Sequence, residues 1–156
     1  MTYFITESFL SGCQNDGVDS DELLDTYIWA HNLCLVGKPA DLHVGIHLCR
    51  GDMTGSMHTT SGSYERIDRK LFQETQYDAF YLEYDTECAG GFEPLRCLLR
   101  EKNAVLGVVS TKMAGLEDID MLEDKVREAA RVIARAQSRT VEEVLKEQVR
   151  SVGFRV

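Results

Sequence analysis

Three short apolar runs, at residues 42–49, 79–84 and 104–110, recur along the chain with helix-like stretches between them. Each run is rich in Val, Leu, Ile and aromatic residues and too short for an ordinary helix, which marks a buried strand. Strands that alternate with helices must cross back over a sheet. The pattern therefore predicts an α/β fold with a parallel sheet of strand order 1-2-3 and right-handed crossovers.

The intervening stretches carry helix signals of their own. At residues 20–35, Asp19 and Ser20 are N-cap candidates, and Leu23, Leu24, Tyr27, Ile28 and His31 recur at helical spacing before Gly37 and Pro39. Residues 64–75 put Ile67, Leu71 and Phe72 on one side, and residues 92–100 read as a short helix. A long helix at 118–135 has Leu122, Val126, Ala129, Ala130 and Ile133 as its stripe. Thr140-Val-Glu-Glu then reads as a capping box opening a last helix to about residue 149. No linker or low-complexity segment interrupts the chain, so residues 1–156 read as one domain. Three strands are few for a parallel sheet, whose faces need cover and whose edges invite pairing, so the chain reads as a length of something larger.

Charge and cysteine usage narrow the partners. A formal net charge of −9 repels phosphate backbones and anionic lipid, which argues against nucleic acid and membrane as partners. No stretch approaches the roughly 20 apolar residues of a membrane span. The opening MTYFITESFL lacks a basic region and carries Glu7 in its apolar run, unlike a secretory signal. Five scattered cysteines, Cys13, Cys34, Cys49, Cys88 and Cys97, with no CxxC pair, fit free thiols in a reducing cytoplasm.

His47 and Cys49 stand at i and i+2 near the C-terminal end of the first strand, and strand alternation puts both side chains on one face, about 7 Å apart at Cα. Glu83 holds the equivalent place on the next strand. Imidazole, thiolate and carboxylate together suit zinc with one position left open, and parallel sheets place their chemistry at this end of the strands. A buried thiol beside a hydrogen-bonded imidazole satisfies the same His-x-Cys spacing. Cys88 is a further thiol in the following loop, and His58 stands in a Ser/Thr/Gly-rich loop that reads as solvated. His31 falls on a helix stripe, as a core or edge histidine. His43 lies at the far end of the first strand, and Asp85 and Glu87 read as exposed loop acids.

Five stretches in order carry a family resemblance: His-Leu-Cys-Arg-Gly-Asp (47–52), Ser-Gly-Ser-Tyr-Glu-Arg-Ile (61–67), Tyr-Leu-Glu-Tyr-Asp-Thr-Glu (81–87), Gly-Phe-Glu-Pro-Leu-Arg (91–96) and Val-Leu-Gly-Val-Val-Ser-Thr-Lys (105–112). With them, residues 16–154 resemble the C-terminal barrel domain of cobalamin-independent methionine synthases, particularly the shorter single-barrel relatives. The resemblance implies a partial (β/α)8 barrel, roughly its second half. It also implies zinc-dependent methyl transfer from a methylated folate to a small thiol such as homocysteine, with His47, Cys49 and Glu83 as metal ligands. The sequence departs from the family in three respects. Val152 stands where the family has its second cysteine ligand, Lys112 stands where the methionine synthases proper have an acid-base histidine, and the first half of the barrel has no counterpart here. A non-catalytic remnant or binding protein, or an incomplete gene product, is the rival expectation. Open sheet edges add self-association as an expected partner.

Overall fold

A computed structural model describes residues 1–51, 58–110, 112 and 115–151. Among them, β1 (Gly45–Leu48), β2 (Ala79–Glu83) and β3 (Asn103–Gly107) form a three-stranded parallel sheet in the order β1-β2-β3, as the alternation predicts. The register aligns Ile46 with Phe80 and Ala104, and Leu48 with Leu82 and Leu106. These six side chains share one face, where Leu48, Phe80, Leu82 and Ala104 are buried. The next row, His47–Tyr81–Val105, points the other way, and His47 and Tyr81 are exposed. Period-two alternation thus produces one packed face and one open face.

The packed face is covered from several directions. Helices α1 (Glu7–Asn15) and α2 (Ser20–Cys34) precede the sheet; α3 (Ile119–Gln137) and α4 (Val141–Ser151) follow it. Asp19 caps α2 by accepting from the N–H groups of Asp21 and Glu22. Thr140 and Glu143 exchange the reciprocal bonds of a capping box, with Thr140 N–H donating to Glu143 and Glu143 N–H to Thr140 Oγ1. A single core joins Leu24 and Ile28 of α2 to Phe80 and Leu82 of β2 and to Ala129, Ala130 and Ile133 of α3. Among the described residues no helix is long and apolar enough to cross a membrane.

Two expectations need correction, and one helix carries no clear sequence signal. The chain does not form a partial (β/α)8 barrel: the described strands make an open sheet, with β1 and β3 as edges and one face uncovered. A barrel requires the sheet to close on itself, with its inward side chains packed against those of facing strands, and the described residues supply no such strands. Second, the connections between strands are not α-helices. Residues 64–75 break into a 3₁₀ turn, Tyr64–Arg66, and a π-helical turn, Lys70–Glu74, in which the adjacent Leu71 and Phe72 are both fully buried. Neighbours on an α-helix diverge by about 100° around the axis, so burying both suits the wider turn. Residues 92–100 hold only the 3₁₀ turn Glu93–Cys97, with Pro94 in its first turn. Helix α1 escapes the sequence pattern because Cys13 is its one buried residue and no side chain caps its start.

Candidate functional site

The C-terminal ends of β1 and β2 are held together by one phenol. Tyr64 is fully buried; its hydroxyl donates to the Leu48 carbonyl at 2.9 Å and accepts the Glu83 N–H at 3.2 Å. Burial pushes that hydroxyl up to about 12, against the opposing pull of the Arg50 charge, so it stays protonated and can keep donating. Arg50 lies beneath it, 0% exposed, with its guanidinium 4.6 Å from the centre of the Tyr64 ring. It donates to the Gly62 carbonyl at 2.7 Å and the Ala89 carbonyl at 3.4 Å, tying two loops to the strand end. Gly62 is glycine of necessity: its φ is +123°, and a Cβ would stand 2.3 Å from the Ile5 carbonyl oxygen.

On this frame Glu83, the last residue of β2, turns its carboxylate toward the start of the loop after β1. Its Oε2 accepts the Arg50 N–H at 2.9 Å. Its Oε1 receives the Lys112 ammonium at 2.6 Å, and the same ammonium reaches Asp85 Oδ2 at 3.0 Å. Ser110 Oγ donates to that Asp85 oxygen at 2.9 Å. The three charged side chains are well enclosed: Lys112 is 6%, Asp85 3% and Glu83 14% exposed. Burial alone would raise the Asp85 carboxyl, but hydrogen bonds from Lys112 and Ser110 outweigh it and hold the group below the usual carboxylate range. Burial likewise opposes the Lys112 charge, and the two carboxylates overcome it, holding the ammonium above its ordinary value.

The charged cluster closes one end of a groove of about 250 Å³ on the open face of the sheet, lined by His47, Tyr81, Glu83, Asp85, Val105 and Lys112 among others. His47 and Glu83 therefore border the same space, as alternation and register require. Cys49, one residue beyond β1, is exposed and stands outside that lining. His58 was expected in solvent; instead its Nδ1 lies 3.6 Å from Glu83 Oε1, with the side chain 20% exposed. Asp85 is likewise no exposed loop acid, whereas Glu87 and Cys88 are exposed. His31 is the edge histidine its stripe predicts, with Nδ1 2.7 Å from the Tyr77 hydroxyl. His43 precedes β1 and is exposed. Val152 lies outside the described residues.

Among curated proteins, the chain is 34% identical over 132 residues to the uncharacterized protein YxjG of Bacillus subtilis (strain 168), an alignment taking in 84% of this chain and 35% of that protein. It is 30% identical over 119 residues to the uncharacterized protein YxjH of the same organism, covering 76% of this chain and 31% of that one. The chain spans about a third of the length of the curated relatives it matches. No family model matches it. No solved structure matches it either.

The donor types at the strand ends suit zinc, but their placement does not. Among the described residues, no three His, Cys, Asp or Glu side chains are gathered so that they could hold a metal ion. Cys49 is exposed and outside the groove lining, and Glu83 already has an N–H on one oxygen and an ammonium on the other. As arranged, the residues do not fit the ion. What they do offer is a groove with an apolar floor from Tyr81 and Val105 and a fixed ion-paired end, suited to a small amphipathic molecule.

Proposed function

We propose that the chain carries a site for thiol methyl transfer of the cobalamin-independent methionine synthase kind, with a small thiol such as homocysteine as acceptor and a methylated folate as donor. The observation that carries this reading is the groove at the C-terminal ends of two parallel strands, which His47 and Glu83 border together. The five resembling stretches supply the chemistry. In the groove, Tyr81 and Val105 would bind the apolar part of the thiol. The carboxylates of Glu83 and Asp85 and the ammonium of Lys112 would orient its charged end. Zinc is proposed as cofactor from the resemblance alone: His47, Cys49 and Glu83 have the right donor types, and their placement assembles no site. A cytoplasmic location belongs to the same proposal, as does self-association through the outer edges of β1 and β3.

A binding protein without turnover is the second reading, favoured by the Lys112 ammonium that already satisfies Glu83. One titration separates them. Homocysteine added to the purified chain should shift the resonances of groove residues, and an assay with methylated folate should then form methionine. Binding without methionine selects the second reading, and no shift at the groove removes both. Size-exclusion chromatography of the same sample reads the self-association.

A further inference from the structure

We propose that the chain holds a second site, for a phosphate-type oxyanion, at the end of the sheet opposite the groove. There Arg139, Arg100 and Lys102 border a small pocket, and the Glu147 carboxylate stands in for the anion.

The pocket lies between the residues leading into β3 and the turn that joins α3 to α4, and Arg100, Lys102, Asn103, Gln137, Arg139 and Glu147 line it among others. Arg139 is the residue that points to a ligand. Its side chain is 7% exposed, and a guanidinium cannot shed its charge to ease that burial. Nη1 donates to Gln137 Oε1 at 3.0 Å. Nη2 lies 2.8 Å from Glu147 Oε2 but out of line for a hydrogen bond, and the buried Nε has no partner among the described residues. A buried charged donor left unsatisfied is costly, so this one calls for an acceptor. Lys102 adds to the demand. Its ammonium donates to the Thr75 carbonyl, and burial holds it below its ordinary value against the opposing pull of Glu101 and Asp78. Three cations thus face one carboxylate, a local reversal of sign in a chain of net charge −9. The nearby Glu143 carboxylate is committed to the Thr140 N–H at 2.9 Å.

Glu147 is a replaceable partner. It lies 2.8 Å from Arg139 and 3.7 Å from Arg100, yet 48% of its side chain is exposed and can swing into solvent. With it in place the pocket has about 20 Å³ of room, enough for one water-sized group. A larger anion therefore enters only as the carboxylate leaves. A carboxylate from solution would gain nothing over one tethered at high effective concentration. A phosphate carries close to two charges at neutral pH and has oxygens enough to meet Nε as well as Nη2.

The test is an amide NMR titration of the full chain with inorganic phosphate, the ionic strength being held constant with sodium chloride. Phosphate should move the resonances of Arg100, Lys102 and Arg139 together, to saturation. Glu147→Gln keeps the shape and removes the tethered competitor, so it should bind phosphate roughly fivefold tighter, the worth of a partly exposed ion pair. Arg139→Gln should abolish binding, with circular dichroism as the check on folding. Arg100→Gln, at a position 68% exposed and so tolerant of change, should weaken binding whether or not Glu147 is present. No saturable shift in the wild type would overturn the inference and leave Glu147 as the arginines' permanent partner. The same shifts with sodium chloride alone, or binding indifferent to Arg100→Gln, would overturn it too. Given binding, phenyl phosphate at the same residues identifies the end of a larger molecule as the ligand, and its exclusion identifies the free ion.

Discussion

At the scale of single residues, the most consequential atom is the Tyr64 hydroxyl, which joins β1 to β2 just where their side chains turn toward the groove. Tyr64→Phe keeps the ring against Tyr84 and Arg50 but leaves the Leu48 carbonyl and the Glu83 N–H without that partner. Unsatisfied buried groups of this kind cost about 1–3 kcal/mol, so urea unfolding should show a loss of that size. An unchanged midpoint would mean that water replaces the phenol. Asp78 has the matching role at the other end of the strands, accepting from the Val44 N–H at 2.8 Å and from Lys38 Nζ at 2.9 Å. Burial would raise its carboxyl, yet these two donors prevail and its pKa is lowered. A carboxyl depressed on folding stabilises above its unfolded pKa of about 3.9 and loses that contribution as pH falls through the lower folded value. The stability gap between wild type and Asp78→Asn should therefore be full at pH 6 and shrink below about pH 4; a gap independent of pH would show that the charge is not what matters. Strand alternation made His47 and Glu83 legible as neighbours. It could not reveal Lys112, which meets Glu83 from 29 residues along the chain. The sequence marked that lysine only as standing where a histidine was expected, and its partners emerge only once the loop after β3 folds back.

At the scale of elements, local signals were reliable wherever a cap or an uninterrupted stripe set the boundary. The capping box at Thr140 and the Asp19 cap of α2 form as their residue types require. Removing the box by Thr140→Ala should cost roughly 1 kcal/mol, read as a lower unfolding midpoint with the groove unaffected. Loss of ligand binding in that variant would show that α4 bears on the site. The signals failed where tertiary packing overrode the helical period. Leu71 and Phe72 are both drawn into the core, which costs the α-helical turn expected there. The stripe of α3 is also used unevenly: Ala129, Ala130 and Ile133 are buried, Leu122 is half-buried and Val126 remains exposed. Its N-terminal half extends past the core that its C-terminal half completes.

At the scale of the whole molecule, the sheet is a three-strand ladder with β2 in the middle and no further strand beside β1 or β3 among the described residues. In a parallel ladder, successive amides point alternately to the two sides. Every inter-strand amide of β2 therefore has a neighbour to bond, while β1 and β3 each aim half of theirs outward. That difference will appear as time. When the chain is transferred to heavy water, Phe80 and Leu82 should keep their protons longest, being paired and fully packed. Along β1 and β3, slow and fast positions should alternate residue by residue, a two-beat exchange pattern written by the edges themselves. If the fast positions slow as the chain is concentrated, something has come to lie beside an edge, and the residues that slow first will tell which edge it chose.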